Sequence, residues 1–307
     1  MKRINLGGTS LSVPRIVVGC MRLNELRPAQ IETLVAGALE CGANFFDHAD
    51  IYGRGECESL FAKAIGMNAA KREKMILQSK CDIRPEQQMY DCSKAYLLSA
   101  VDGILSRLQT DYLDILLLHR PDALMEPEEV AEAFDRLHST GKVRYFGVSN
   151  QNPGQIRLLQ KYLPQKLLID QLQLSITNST MISSGIHVNM LDDAAVCRDD
   201  GVLDYCRLHE ITIQAWSPFQ YGMFEGTFLQ NPKFPELNKT LSELAQKYAV
   251  SETTIAAAWV LRHPAKMQLI AGTTKLSRLQ EICGATDLTL SREDWYAIYR
   301  AAGNTIP

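Results

Sequence analysis

The sequence predicts an α/β fold, a single (β/α)8 TIM barrel over residues 1–307 with an N-terminal hairpin and long loops at the carboxyl face. Short apolar segments alternate with longer amphipathic ones eight times, which indicates repeated strand–helix units. The short segments are apolar almost throughout, as in Leu113–Leu118, and this is typical of parallel strands buried on both faces. Eight units close a barrel without an unpaired edge, and no Pro/Gly/Ser-rich linker divides the chain, so one barrel is favoured over an open sheet or two domains.

The predicted elements alternate along the whole chain. The strands are Arg15–Gly19, Asn44–Asp47, Met75–Lys80, Leu113–Leu118, Val143–Val148, Leu167–Leu172, Thr212–Trp216 and Gln268–Ala271. The helices are Pro28–Cys41, Glu56–Ile65, Lys94–Leu108, Pro127–Ser139, Pro153–Tyr162, Val202–His209, Thr240–Tyr248, Ser251–His263 and Leu276–Cys283. Met1–Pro14 contains Gly7-Gly8 and predicts a hairpin at the barrel floor. Trp295 and Tyr299 lie four residues apart on a terminal helix, which indicates core packing.

Two predicted connections are longer than the others and follow the sixth and seventh strands. Ser175–Gly201 shows no periodicity, whereas Ser217–Asn238 carries five aromatic residues. Loops of this length in compact domains are usually functional or mobile. We therefore expect both loops to line a site at the carboxyl face, with Ser175–Gly201 lying over the substrate side.

Composition and charge exclude several classes of function. The formal net charge is -3 and no block of like charges is present, so nothing indicates a nucleic-acid partner. The eight cysteines form no Cys-x-x-Cys pair and have no metal-ligand spacing with histidine, so we expect reduced thiols and no metal. The sequence has no signal-peptide core and no run of about eighteen apolar residues, so we expect a cytoplasmic protein without a membrane partner.

Polar residues occupy the ends of five predicted strands: Asp47, Lys80, His119, Asn150 and Gln171. In a barrel, residues at these positions point into one mouth although they are far apart in the sequence. Any one of them alone is better explained by a structural ion pair or a solvated loop. Five of them together predict an active site at the carboxyl face.

Tyr52 follows Asp47 by five residues and is the candidate proton donor. A free tyrosine has a pKa near ~10, so it is a weak donor at neutral pH. Because an adjacent ammonium stabilises phenolate, we expect Lys80 to lower the pKa of Tyr52, and Asp47 to hold Lys80 charged. His119 can donate a hydrogen bond to a carbonyl oxygen or relay a proton. These groups would stabilise the alkoxide that forms when hydride reaches a carbonyl carbon.

A phosphate site is predicted where the seventh and eighth strands end. No Gly-x-Gly-x-x-Gly follows an early strand, so the usual dinucleotide-binding turn is absent. Barrels have another phosphate site in these two loops, and hydroxyls, a glycine N–H, a helix N-terminus and two cations suit it. The residues there are Ser217, Gly272, Thr273, Lys275 and Arg278. A capped helix start explains the same residues equally well.

Five segments of the sequence carry a specific resemblance. They are Phe46–Gly53 (FDHADIYG), Ser79–Cys81 (SKC), Leu118–Asp122 (LHRPD), Gly141–Asn150 (GKVRYFGVSN) and Gly272–Lys275 (GTTK). In this order, over nearly the whole chain, they resemble the aldo-keto reductase superfamily and most closely its bacterial general-oxidoreductase branch. The resemblance implies NADPH-dependent reduction of a small aldehyde or ketone to an alcohol. It also implies a tetrad, with Tyr52 as general acid beside Asp47, Lys80 and His119.

The resemblance further implies which residues bind the nicotinamide half of NADPH/NADP+. Ser149, Asn150 and Gln171 would hold the carboxamide. Trp216 stands at the position of the aromatic residue that stacks on the nicotinamide ring. One departure is Asp170, which precedes Gln171 where the family frequently has asparagine.

For the phosphate half, the resemblance implies that Ser217 contacts the pyrophosphate. Thr273 and Arg278 would contact the adenosine 2'-phosphate, and Gly272 and Lys275 belong to the same cradle. A second departure lies nearby, because Ile282 and Cys283 stand where the family often has an asparagine that binds adenine.

Two other functions remain open at this point. Some barrels of the superfamily, such as potassium-channel β subunits, bind NADPH and act mainly as partners. We expect no N-terminal tail for blocking a pore, which argues against this role. A different barrel enzyme, an isomerase or aldolase, would use Lys80 as a Schiff base, which requires a neutral lysine. Asp47 favours a charged one. Neither the physiological substrate nor the oligomeric state is indicated by the sequence.

Overall fold

The computed structural model describes residues 1–307 and contains a closed barrel of eight parallel strands. The strands of the chain are β1 Arg3–Asn5, β2 Ser12–Pro14, β3 Ile16–Gly19, β4 Phe45–Asp47, β5 Ile76–Cys81, β6 Ile83–Arg84, β7 Met89–Tyr90, β8 Leu113–Leu118, β9 Val143–Ser149, β10 Leu167–Gln173, β11 Thr212–Trp216 and β12 Gln268–Ala271. The barrel order is β3-β4-β5-β8-β9-β10-β11-β12, and β12 pairs with β3 to close the ring. The predicted barrel is confirmed, and each predicted strand agrees with the observed one to within one residue at either end.

Helices surround the barrel and connect its strands. They are α1 Pro28–Glu40, α2 Glu56–Ile65, α3 Ala69–Arg72, α4 Lys94–Leu108, α5 Pro127–Ser139, α6 Pro153–Tyr162, α7 Thr180–Ile186, α8 Val202–Leu208, α9 Pro235–Tyr248, α10 Glu252–Arg262, α11 Leu276–Gly284 and α12 Arg292–Ala301. Trp295 and Tyr299 of α12 are buried in the core, as predicted. None of these helices is long and apolar enough to cross a membrane.

Local capping explains why several helices begin where the sequence predicts. Asn152 precedes α6, and its side chain accepts the N–H of Gln155 at 2.9 Å. The side chain of Gln155 accepts the N–H of Asn152 in return, also at 2.9 Å, which completes a capping box. Ser93 caps α4 in the same manner, by accepting the N–H of Tyr96. By contrast, α9 begins at Pro235, five residues before the predicted start, because proline is well suited to the first helical position.

Side chains of the barrel strands alternate between the barrel interior and the helix layer. Phe45 of β4 and Ile76 of β5 belong to an inner apolar cluster, whereas Phe46 and Leu77 belong to the outer core. Asp47, two residues after Phe45, is therefore turned into the interior again. A polar layer thus lies above an apolar floor inside the barrel.

The N-terminal hairpin closes that floor. Strands β1 and β2 pair antiparallel, with Ile4 opposite Val13. Leu6 and Val13 are fully buried and pack with barrel residues such as Val17 and Phe45. The hairpin expected at Met1–Pro14 is therefore confirmed.

Segment 175–201 contains the short helix α7 and a turn of 3-10 helix. Met181 and Ile182 of α7 are buried in the outer core. Oγ of Ser183 accepts a hydrogen bond from the hydroxyl of Tyr299 in α12 at 2.9 Å. The segment is therefore packed against the C-terminal helix.

Candidate active site

Side chains from the carboxyl ends of three barrel strands meet at one cavity. Asp47 is the last residue of β4, and Tyr52 follows in a short 3-10 turn. Lys80 lies near the end of β5, and His119 directly follows β8. Asp47, Tyr52 and His119 line the cavity, and Lys80 is fully buried against Asp47. The structure therefore brings together all four residues of the predicted tetrad.

The Lys80 ammonium lies within hydrogen-bond distance of three oxygens. Nζ donates to Oδ1 and Oδ2 of Asp47 at 2.7 and 2.8 Å, and to the backbone oxygen of His48 at 2.8 Å. Burial opposes the charge of Lys80, but the interactions with Asp47 and Tyr52 together outweigh it, so the pKa of Lys80 is raised. Lys80 is therefore a fixed cation, 5.1 Å from the centroid of the Tyr52 ring.

The expectation that the pKa of Tyr52 is lowered is wrong as a net effect. Burial disfavours the phenolate and raises the pKa of Tyr52, while the Lys80 ammonium acts in the opposite direction and more weakly. The ring of Tyr52 meets the ring of His119 edge-on, with centroids 6.1 Å apart. Tyr52 is therefore a protonated phenol at neutral pH, with its hydroxyl available as a donor.

His119 is a neutral imidazole. Burial, the Lys80 charge and the Arg120 charge all disfavour protonation and hold the pKa of His119 well below its usual range. Its backbone N–H donates to the oxygen of Cys81 at 3.0 Å, which fixes its position beside β5. Nδ1 is buried without a hydrogen-bond partner. A neutral imidazole keeps one N–H donor, which a ligand oxygen in the cavity can use.

Ser149, Asn150, Gln171 and Trp216 all line the same cavity and are joined by hydrogen bonds. Oγ of Ser149 donates to the backbone oxygen of Gln171 at 2.9 Å, and Nδ2 of Asn150 donates to Oγ of Ser149 at 2.8 Å. Nε1 of Trp216 donates to Oδ1 of Asn150 at 3.1 Å. Asn150 adopts a left-handed backbone with φ of 58°, which asparagine tolerates better than most residues. The three residues predicted to hold the carboxamide and the tryptophan predicted to stack on the nicotinamide ring therefore form one hydrogen-bonded group.

The five residues predicted for phosphate binding line this cavity as well; they are Ser217, Gly272, Thr273, Lys275 and Arg278, and we call them the cradle. Oγ1 of Thr273 accepts the N–H of Lys275 at 3.1 Å, just before α11 begins. The side chains of Lys275 and Arg278 form no ion pair within the protein. The cradle thus presents two uncompensated cations and a helix N-terminus, which together favour an anion.

Several cavity residues were not predicted. Arg22 follows β3 and donates to the backbone oxygen of Gly272 at 3.0 Å, and Arg120 follows His119. Both occupy strand ends, so the rule that identified the tetrad could also have found them. Ile83 comes from the β6–β7 hairpin, whose two-residue strands carry no periodic signal. Sequence reasoning had no means of placing it.

The two long loops differ in their relation to the cavity. Segment 217–238 lines it with Phe219, Gln220 and Phe224 among others, as expected. No residue of segment 175–201 lines it, so the expectation that this segment covers the substrate side is wrong. The physical reason is the apolar pair in α7, which is buried against the outer core instead.

The two departures from the family pattern lie in different places. Ile282 lines the cavity, whereas Cys283 is buried behind it. Glu281, a further residue that was not predicted, lines the cavity and accepts a hydrogen bond from Oγ of Ser251 at 3.0 Å. Asp170 faces away from the cavity; burial raises its pKa well above the usual range, and its carboxylate oxygens lack side-chain partners.

Known proteins resemble this chain over nearly its whole length. The chain matches the model of the aldo/keto reductase family over residues 15–302. It is 38% identical to the uncharacterized oxidoreductase YcsN of Bacillus subtilis (strain 168), and the match covers 100% of both chains. It is 36% identical to a 6-dehydroglucose reductase of Novosphingobium aromaticivorans, over 98% of this chain and 96% of that relative.

A solved structure agrees with the barrel. An aldo-keto reductase from Klebsiella pneumoniae in complex with NADPH matches with a TM-score of 0.77 at 24% identity, covering 99% of this chain and 96% of that chain. This likeness concerns the fold, while the family match and the relatives above extend over nearly the whole sequence. The chain belongs to the aldo/keto reductase family.

Proposed function

We propose that this protein is an NADPH-dependent oxidoreductase that reduces a small aldehyde or ketone to an alcohol, with Tyr52 as general acid. The observation that carries the proposal is one shared cavity. Tyr52 and His119 line it, and so does the cradle. The same cavity is lined by the residues predicted to contact the nicotinamide, which are Ser149, Asn150, Gln171 and Trp216. Its volume of about 1070 Å³ slightly exceeds the typical range for small-molecule sites of about 300–1000 Å³, as a large dinucleotide requires.

The donor groups of the cavity suit each part of NADPH. Ser149, Asn150 and Gln171 offer donors and acceptors for a carboxamide, and Trp216 offers an aromatic face. The cradle offers cations and hydroxyls for the phosphates, and its Ser217 has a left-handed backbone with φ of 51°. Strained backbone at such a residue is often found where a ligand is held.

The chemistry divides between cofactor and protein. NADPH, when bound, supplies the hydride for carbonyl reduction. His119 donates a hydrogen bond to the carbonyl oxygen and orients it. Tyr52 then transfers its phenolic proton to that oxygen, which gives the alcohol and leaves a phenolate.

The buried ion pair supports this proton transfer. Lys80 stabilises the phenolate as it forms, and Asp47 keeps Lys80 charged and in place. A proton from water then restores the phenol. Because burial raises the pKa of Tyr52, the donor form is already present at neutral pH, which suits reduction.

The same ion pair argues against Schiff-base chemistry. A lysine must be neutral to attack a carbonyl. Lys80 donates to three oxygens and its pKa is raised, so it is held as an ammonium. We therefore favour reduction over an aldolase or isomerase reaction.

An NADPH-coupled screen tests the proposal. Purified protein is titrated with NADPH and then mixed with aldehydes, dicarbonyls and ketones, including a 6-aldehydo sugar because one relative is named 6-dehydroglucose reductase. Cofactor binding with carbonyl-dependent loss of NADPH absorbance supports the proposal. Binding without turnover of any carbonyl would instead favour a regulatory cofactor-binding module. Trapping of substrate on Lys80 by borohydride would favour a Schiff-base enzyme.

A further inference from the structure

Three glutamines lie inside the barrel between the apolar floor and the cavity. Gln78 belongs to β5, Gln214 to β11 and Gln268 to β12, and the side chain of each is 0% exposed. An unpaired amide is unfavourable in such surroundings, so buried amides are normally hydrogen-bonded. We call these three residues the amide ladder. None of them lines the cavity.

The upper contact of the amide ladder is the carboxylate of Asp47. Nε2 of Gln78 donates to Oδ1 of Asp47 at 2.6 Å and to Oε1 of Gln214 at 2.9 Å. Nε2 of Gln214 donates back to Oε1 of Gln78 at 3.2 Å, so the two amides form a reciprocal pair. Asp47 therefore accepts hydrogen bonds from Gln78 and Lys80 on the same oxygen.

The lower contact is the N-terminal hairpin. Nε2 of Gln214 also donates to Oε1 of Gln268 at 2.9 Å, and Nε2 of Gln268 donates to the backbone oxygen of Pro14 at 2.7 Å. A backbone carbonyl and a carboxylate can only accept, so the two ends of the ladder fix which end of each amide is the donor. Each amide of the ladder therefore has one fixed orientation.

Gln171, which does line the cavity, is held by the same ladder. Its Nε2 donates to Oε1 of Gln214 at 3.0 Å and to Oδ1 of Asp47 at 3.1 Å, which uses both N–H groups. No protein group donates to Oε1 of Gln171, and that atom is not enclosed by the protein. The unused polar atom of Gln171 is thus an acceptor offered to a ligand in the cavity.

We propose that Gln214 is a positioning residue that sets the orientation of Gln171, so that Oε1 of Gln171 accepts a hydrogen bond from the NH2 of the nicotinamide carboxamide. The inference rests on the proposed function and assigns a role in it to a side chain outside the cavity. Without the acceptor at Gln214, one N–H of Gln171 loses its partner. The Gln171 amide can then turn, and its acceptor is no longer presented in one direction.

The test uses two dinucleotides that differ at the carboxamide alone. NADP+ carries the NH2, and 3-acetylpyridine adenine dinucleotide phosphate carries CH3 in its place. Dissociation constants are measured by quenching of tryptophan fluorescence in the wild type and in Gln214→Met, which has similar volume and no amide. We expect the wild type to favour NADP+ by about tenfold, as one hydrogen bond allows. In Gln214→Met this preference should fall to about threefold or less.

A matched control replaces a different glutamine of the amide ladder, Gln268. Gln268→Met also leaves buried partners unpaired, but it spares the bonds that Gln214 accepts from Gln171 and Gln78. It should lower thermal stability much as Gln214→Met does, while keeping the wild-type preference for NADP+. Equal loss of the preference in both variants would mean that the ladder has a structural role alone, and would overturn the proposal.

A conservative variant covers the case in which Gln214→Met does not fold. Full burial inside the barrel should keep the carboxyl of Gln214→Glu protonated, so its carbonyl oxygen still accepts from Gln171 while its hydroxyl donates to Gln268. The preference for NADP+ should therefore be retained. Loss of the preference in this variant, or full preference in Gln214→Met, contradicts the positioning role while leaving the proposed function intact. Failure of the wild type to bind either dinucleotide overturns both.

Discussion

Burial determines the protonation states of the residues around the cavity. Tyr52 and His119 are both held neutral, because burial raises the pKa of the phenol and lowers that of the imidazole. Lys80 stays charged because Asp47 is paired with it directly. At neutral pH the site therefore holds one ion pair and two neutral donors, which is the state that carbonyl reduction needs.

Asp50 provides a pH-dependent test of burial near this site. Burial, reinforced by the nearby Glu58 charge, raises the pKa of Asp50 to about 7, and Oδ1 is buried without a partner. The folded state therefore binds this proton more tightly than the unfolded state does, and stability from this group is lost as pH rises from about 4 to about 7. Asp50→Asn removes the titration. Relative to the wild type, the variant should gain about 2–4 kcal/mol in free energy of unfolding between pH 4 and pH 8.

Urea denaturation of both proteins across that pH range measures the difference directly. The comparison cancels other titrating groups, such as His48, whose pKa is lowered to about 3 by burial and by Lys80. A stability difference that stays constant with pH would show that the pKa of Asp50 is not raised in the folded state.

Arg278 carries the prediction about cofactor choice. Its guanidinium has no partner within the protein, so it can donate two parallel hydrogen bonds to a 2'-phosphate. Arg278→Ala should weaken NADPH by about ten- to a hundredfold and NADH by less than about threefold. The wild-type preference for NADPH should shrink as salt is added, because the contact is partly exposed. Equal weakening of both cofactors in binding titrations would mean that Arg278 supports the loop and does not recognise the phosphate.

At the scale of elements, the packing of α1 against α11 positions the cradle. Gly37 of α1 faces Leu276, the first residue of α11, and a Cβ at Gly37 would lie 2.4 Å from Cδ1 and 3.1 Å from Cγ of Leu276. Relieving a contact that includes Cγ requires the whole Leu276 side chain to swing aside. We expect the start of α11, which follows Lys275, to shift with it.

Gly37→Ala should lower the free energy of unfolding by about 1–3 kcal/mol through overpacking, although alanine favours helix by about 1 kcal/mol. It should also weaken NADPH binding several-fold, because the cradle shifts with α11. Gly284→Ala near the other end of α11 is the control, since a Cβ there meets nothing within 4 Å. Thermal melts and NADPH titration of the two variants measure both effects, and equal behaviour would show that α1 does not set the position of α11.

Elements with strong local sequence signals could be predicted, and elements whose sequence signals are weak could not. Both ends of helix α5 are predicted correctly, because Pro127 occupies the first turn and apolar residues recur with helical period. Helix α7 has seven residues in a polar stretch, and its three apolar residues, Met181, Ile182 and Ile186, are too few to establish a period. The β6–β7 hairpin is shorter still. Helix α3, with four residues, is also too short to predict.

At the scale of the whole molecule, barrel closure brings distant residues into one site. Lys80 and Asp47 are 33 residues apart in sequence and 2.7 Å apart in space. Their convergence could be predicted, because the carboxyl ends of parallel barrel strands share one mouth. The sign of the pKa shift at Tyr52 could not, because it depends on how deeply the ring is buried. The bonds from Gln214 to Gln171 and Gln78 likewise depend on barrel geometry.

The central claim, that Tyr52 donates the proton in an NADPH-dependent carbonyl reduction, is tested most directly by Tyr52→Phe. The variant keeps the ring and removes the hydroxyl alone. With the best aldehyde from the screen, its turnover should fall by about 10²–10⁴-fold, as expected for loss of a general acid. The dissociation constant for NADPH should stay within about twofold, because the proposal assigns the phenol to the substrate. Turnover equal to that of the wild type, with NADPH still bound, would show that another group protonates the substrate.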